Sequence, residues 1–438
     1  MIKPVKIILS TVFLWAALTE TASALPSFAR QEDVNCFACH AIPPKLNRAG
    51  YEFRAAGYRE PEEIGKPASI SDGRKRVSVR VSETATYTPM PIAGGTTPEV
   101  IQTGDTGGTT AKFWPVAGSF GDNYGQRTEI TIATKPTTGV NTATPAKGTA
   151  VTTVPQTAVT LIDIRSAWGQ SDNHLNVRAG ATMGLVSGYG AADSSMSSNS
   201  VGTPDPVFLS GTKIGSKISS SSPGVEVGYT FKDLDVGLAS VNGLEYDYVD
   251  QSLHPNNNGY SVRENTDPLY NSRDTYLRFN YFLGKKNAIG GYYYQGNVSL
   301  PINATGKTQK YALANYSVDN FTRYALYGTY YIDRKTALMG GMIQATDAFY
   351  TNPLTTSNNY FVSLDFYNEW GAYGVRYDTG TGNVDGNFGL TSTDAYIELF
   401  SKLGFWVKAD VYYKDQQNGN TTADLITDGL TITATYIF

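Results

Sequence analysis

From residue 76 onward, hydrophobic and polar positions alternate one by one. In "VSVRVS", Val77, Val79 and Val81 share one face, with Ser78, Arg80 and Ser82 on the other. "GVEVGYTF" sets Val225, Val227, Tyr229 and Phe231 against Glu226, Gly228 and Thr230. "FWVKADVYY" sets Val407, Ala409 and Val411 against Lys408, Asp410 and Tyr412. A helix repeats near 3.6 residues and would not hold charges at every second position for so long. The pattern predicts about sixteen strands: 77–88, 112–120, 127–135, 158–168, 175–186, 224–231, 235–242, 274–283, 288–295, 309–331, 336–344, 359–366, 371–378, 393–400, 405–413 and 429–438. Their connections alternate strictly between seven short turns and eight long loops. Segment 309–331 is taken as one strand despite "SVDN", and 206–218 is left inside a loop, because extra strands would break that alternation.

A soluble β-sandwich and a membrane barrel both show period two. The apolar face here often begins or ends in Tyr, Phe or Trp, and the other face mixes Arg, Asp, Glu, Gly and Ser. Aromatic girdles outside and a wet lumen inside require that combination. The fold expected is an all-β transmembrane barrel of antiparallel strands, with short periplasmic turns and long extracellular loops. The ending "GLTITATYIF" resembles the C-terminal strand of bacterial outer-membrane barrels, which closes on an aromatic residue.

Composition agrees: 30 Tyr, 18 Phe and 44 Gly with only 17% charged residues suit strands and turns better than helices. Lys3 and Lys6, the apolar run 7–18 and "ASA" at 22–24 read as an export signal over residues 1–24. Without it the chain carries 33 basic and 38 acidic residues, a balance of −5, which argues against nucleic acid as a partner. No later apolar run is long enough for a transmembrane helix. No nucleophile–His–carboxylate grouping or phosphate loop points to acid–base catalysis.

The only two cysteines lie in "DVNCFACHAI", as Cys36 and Cys39, with His40 next. In an exported chain this spacing reads as c-type haem attachment. Thiols one helical turn apart reach the two vinyl groups on one porphyrin edge, and the adjacent imidazole becomes the proximal iron ligand. Zinc would need a fourth ligand, and a thioredoxin-type pair would need its own fold. A Cys36–Cys39 disulfide satisfies both thiols but gives His40 no role. The division expected is a signal at 1–24, a monohaem segment at 25–75 and the barrel at 76–438. Fifty residues cannot bury a haem unaided, so the segment, in which "PPKLNRAGYEFRAAGYREPEEIG" (43–65) is expected to form one helix ending near Gly57, should sit in or against the periplasmic mouth of the barrel.

"LPSFARQEDVNCFACHAIPPKLNRAGYEFRAAGY", residues 25–58, followed by a porin-like barrel, resembles the fused monohaem cytochrome–porin family of the outer membrane, whose best-known members oxidise iron. The likeness rests on Pro26, Phe28–Gln31, Cys36, Cys39 and His40. It implies one covalent haem c, an extracellular reductant such as Fe(II), and a periplasmic c-type cytochrome as acceptor, an iron:cytochrome c oxidoreductase in effect. Residues 25–75 offer no second His and no Met, so a sixth ligand would come from the barrel: His174, in a periplasmic turn, or His254, Met183, Met339 or Met342. Met183 shares parity with lipid-facing Leu175 and Val177. Lys45, Arg48 and Arg54 either meet haem propionates or form an exposed helix face. The competing expectation is a diffusion porin whose haem-bearing plug senses or gates.

Overall fold

A computed structural model describes residues 27–34, 36–42, 45–67, 77–87, 108–137, 152–184, 208–209, 212–213, 221–241, 274–301, 316–349, 355–368, 370–382, 388–400, 405–417 and 425–437. The expected signal at 1–24 lies outside them. Sixteen antiparallel strands form a closed barrel. They are β1 (Ser78–Tyr87), β2 (Gly108–Phe120), β3 (Tyr124–Thr137), β4 (Thr152–Gln170), β5 (Asn173–Gly184), β6 (Ser221–Phe231), β7 (Leu234–Val241) and β8 (Asp274–Leu283), then β9 (Asn287–Pro301), β10 (Tyr316–Tyr331), β11 (Thr336–Phe349), β12 (Thr355–Asn368), β13 (Gly371–Gly382), β14 (Phe388–Phe400), β15 (Phe405–Gln417) and β16 (Leu425–Ile437). Each pairs with the next, and β16 closes on β1 from Leu430 opposite Tyr87 to Ile437 opposite Arg80. Each of the sixteen expected segments contains a strand; residues 88, 185–186, 242, 309–315 and 438 of those segments lie outside the described residues. Most run further into the expected loops: β11 reaches Phe349 and β13 reaches Gly382. Polar loop-side residues hid those extensions. Ser317–Asn320 lie within β10, and residues 208–209 pair with 212–213 apart from the barrel, as the alternation required.

Outward positions are apolar and uncovered: Val225, Val227, Leu238, Leu277, Leu326, Val375 and Val411 are all 47% exposed or more. Such a continuous apolar surface needs lipid against it. Outward aromatics bound the band; on β10, Tyr330 and Tyr324 are six residues apart, about 20 Å along the strand. Inward positions are charged and buried, among them Asp163, Arg165, Arg178, Glu226, Asp235 and Arg278. Among the described residues no helix is long and apolar enough to cross a membrane, so the strands do the crossing.

Residues 27–67 precede the barrel and enter its lumen at the short-turn end. Helix α1 (Ser27–Glu32) and the single turn α2 (Cys36–Cys39) come first. His40–Ile42 then pair with Lys45–Leu46 in a small hairpin. Helix α3 (Arg48–Ala55) follows, its first turn capped by the Asn47 side chain accepting from the Gly50 amide at 3.0 Å. Gly57, at φ +77°, ends the helix in the left-handed region that suits glycine. The helix stop is where the sequence placed it; the start is not, because the hairpin occupies residues 40–46.

Candidate functional site

The segment is a plug held at two points. At one, Gly57 lies against the inner wall at Gly125, so closely that a Cβ on residue 125 would stand 2.0 Å from the Gly57 carbonyl oxygen. The next residue, Tyr58, is 1% exposed and donates to Asp163 Oδ2 at 2.8 Å. The Arg165 guanidinium sits 5.6 Å from the Tyr58 ring centre, and Phe28 of α1 stacks on that ring at 4.9 Å. Arg59 donates to the carbonyls of Gly121, Asp122 and Tyr124, gripping the β2–β3 turn. Burial lowers the Arg59 pKa, while burial followed by the Asp163 charge raises that of Tyr58.

At the second point Tyr51, 2% exposed, enters a buried charge network. Its hydroxyl donates to Asp235 and accepts from Arg278. Arg278 also donates to both oxygens of Glu226, at 2.9 and 2.7 Å, and Tyr276 donates to Glu226 at 2.6 Å. Gly237 makes the room: a Cβ there would meet the Arg278 guanidinium at 2.9 Å. Beside this, Arg48 pairs with Glu52 and with Asp233 of the β6–β7 turn. Arg48 is therefore a clamp between helix and wall, which accounts for its charge without a propionate.

The Cys36–Cys39 turn is helical, so positions 36 and 39 share one face at the spacing two thioethers need. Its end is tied down: the Asn47 amide donates to the Cys39 carbonyl at 3.0 Å, and Asn47 Nδ2 donates to the Ala38 carbonyl at 2.9 Å. The chain reverses at the His40 hairpin, which directs the α2 turn and α3 into one compact unit. Residues and spacing fit a covalent c-type haem. Among the described residues no three His, Cys, Asp or Glu side chains gather as a metal site.

His174 is the second residue of β5, next to the Ser171–Asp172 turn, so it belongs to the wall and not the turn. It is 1% exposed, and the Gln170 and Ser171 backbone lies within reach of its ring. Met339 is buried on the inward face of β11, whereas Met342 has the outward parity of Leu338. His254 lies outside the described residues. Nothing in their local sequence singles out Tyr51, Tyr58 or Gly125, whose partners lie far along the chain.

The outer rim of the plug is acidic. Glu32 is pushed up by burial and then by Glu63 and Glu60; Glu60 is pushed up by burial and then by Glu62, Glu63 and Glu52. An acid raised on seating contributes stability that is complete below the ordinary glutamate value of about 4.3 and is lost as pH climbs through the raised value. Glu60→Gln is expected to seat the plug more tightly than wild type at pH 7, with the difference vanishing below pH of about 4. Amide hydrogen exchange of residues 48–67 measures it; an equal difference at both pH values would be wrong for this rim.

Barrel, lipid band and lumen define an outer-membrane β-barrel protein of the porin type. No protein-family profile matches the chain, and no curated protein matches it. Solved structures do. OmpT of Vibrio cholerae, an outer-membrane protein in its trimer form, aligns with TM-score 0.50 and 11% identity over 83% of this chain and 98% of that one. Its loop-deletion variant gives 0.50 and 10%, over the same shares. The outer-membrane channel DcaP of Acinetobacter baumannii gives 0.48 and 9%, over 86% and 100%.

Proposed function

We propose that Cys36 and Cys39 hold one c-type haem with His40 as proximal ligand, and that the chain carries electrons across the outer membrane. The donor is an extracellular reductant such as Fe(II), and the acceptor is a periplasmic c-type cytochrome. One observation carries the reading: the Cys-x-x-Cys-His turn belongs to a segment lodged inside a closed, lipid-embedded barrel. Bound there, a haem supplies a one-electron centre within an insulating layer. The residues of the chain do the rest. Tyr51, Tyr58, Arg48 and Arg59 fix the segment to the wall, and the barrel excludes lipid from it. His174, buried in the wall, would be the candidate for a second haem ligand.

Replacing His40 by Met is expected to leave a barrel that assembles and migrates as wild type, while the visible spectrum changes. Reduction of the haem by Fe(II) in intact cells should be lost. Absence of any covalent haem in the wild-type chain defeats the reading outright.

The buried charges lining the lumen support a second reading, a diffusion porin gated by its plug. It requires sizeable solute conductance in planar bilayers that changes with haem redox state, and no dependence of cellular Fe(II) oxidation on His40.

A further inference from the structure

Among the described residues, the cations around the inner end of α3 outnumber the carboxylates. Arg54 and Arg165 face one acid, Asp163; Lys112 and Arg127 face one acid, Glu129. Arg165 reaches Asp163 at 3.3 Å, Lys112 reaches Glu129 at 2.7 Å, and Arg127 reaches Glu129 at 3.9 Å. Arg54 has no ion pair among the described residues, and its Nε is buried without a partner, as is that of Arg127. Asp163 keeps one oxygen unpartnered, and Arg127 lies directly across the β3–β4 pair from it. Turning Arg127 onto Asp163 would fill that gap and leave the surplus at two, so the imbalance does not depend on a rotamer.

The backbone prevents the cluster from dispersing. The Arg54 carbonyl accepts from Arg165 Nη1 at 3.3 Å, which holds the end of α3 against β4. On the far side, Arg165 stands directly opposite Arg178 of β5. Arg54 responds as a crowded cation does: burial first, then Arg165, Arg127 and Arg178, push its guanidinium down to about 9. Unpaired cations crowded at a half-buried seam are costly unless something offsets them. Arg48, six residues earlier on the same helix, has two carboxylates; Arg54 has none.

We propose that Arg54, with Arg127 and Arg165 on the facing wall, forms a site between plug and barrel for a pair of carboxylates on one molecule. Guanidinium forks match carboxylates in geometry, and two negative charges balance the surplus. The pair comes either from the propionates of the haem itself, which rests on the haem reading above, or from a free dicarboxylate, which does not.

Equilibrium dialysis of the purified full-length chain against succinate tests this, beside the haem-free Cys36→Ala/Cys39→Ala variant. If a free acid is the occupant, the wild type binds succinate and Arg54→Gln weakens it about tenfold or more. If propionates are the occupant, only the haem-free variant binds succinate. In the haem-loaded chain, Arg54→Gln then shifts the propionate bands of the resonance Raman spectrum and lowers the midpoint potential. Lys335→Gln, on an exposed turn at the same end of the barrel, should change neither. Arg54→Gln removes a surplus charge and so should stay folded, which exchange protection of residues 48–58 verifies. Succinate binding by a wild-type chain that is found to carry no covalent haem sinks the haem reading and leaves the site standing. No succinate binding by either form, with Raman bands unmoved by Arg54→Gln, overturns the site.

Discussion

A methyl group at position 125 is expected to unseat the plug. The Cβ of Gly125→Ala would stand 2.0 Å from the Gly57 oxygen, 2.8 Å from its carbonyl carbon and 3.0 Å from the Gly118 oxygen. All three are backbone atoms, so no side chain can swing aside. Overpacking usually costs about 1–3 kcal/mol; with backbone on every side the upper end applies, roughly a hundredfold in the seated-to-open ratio. The two severe contacts are with the plug; the barrel meets the methyl only at the Gly118 oxygen, 3.0 Å away. Single-channel recordings should show larger or longer openings than wild type, and amides of residues 48–58 should exchange faster. Gly328→Ala, whose nearest obstacle is an oxygen at 3.3 Å, serves as control and should leave the plug in place. Wild-type conductance in Gly125→Ala would show that the plug does not close the mouth in this way.

The second large effect concerns Arg278. Its guanidinium neutralises Glu226 and Asp235, which are 1% and 0% exposed, and holds the Tyr51 hydroxyl. Arg278→Ala leaves two buried carboxylates with one cation fewer, since only Arg178 still pairs with Glu226, at 3.4 Å. Removing one partner of a buried ion pair costs about 3–5 kcal/mol, because the remaining charge stays in place unpaired. The loss should appear as a lower unfolding midpoint and as release of the plug at Tyr51. Adding Asp235→Asn to Arg278→Ala should recover a large part of it, as expected when the harm comes from the stranded carboxylate and not from lost contacts. Additive losses in the double variant would contradict the network. Tyr51→Phe probes the plug side alone and should cost less, since Asp235 keeps Arg278 and the Thr230 hydroxyl at 3.0 Å.

The barrel could be read from the chain because each strand has two different solvents. Lipid on one face and water or charge on the other force a strict alternation, and Val225, Glu226, Val227 and Gly228 display it without help from any neighbour. The Cys36–Cys39–His40 motif stands out in the chain for a similar reason: its spacing is local. The seat was not visible. Tyr51 meets Arg278 across 227 residues and Tyr58 meets Asp163 across 105, so no window of sequence contains both partners. Arg48 misled for the same reason, since Asp233, which claims it, lies 185 residues away. Gly125 looked like a turn glycine in "GDNYGQ", and only the approach of a distant carbonyl shows why a side chain is excluded there.

Those separations also set an order of events. The socket for Tyr51 is built by β7 and β8, and the last seam, β16 on β1, closes with nearly the final residues of the chain. The segment can therefore dock at Tyr51 only once β7 and β8 have paired, and at Tyr58 only once β3 and β4 have. Until then Tyr51 and Tyr58 stand in water, and docking is the step that takes both rings out of it.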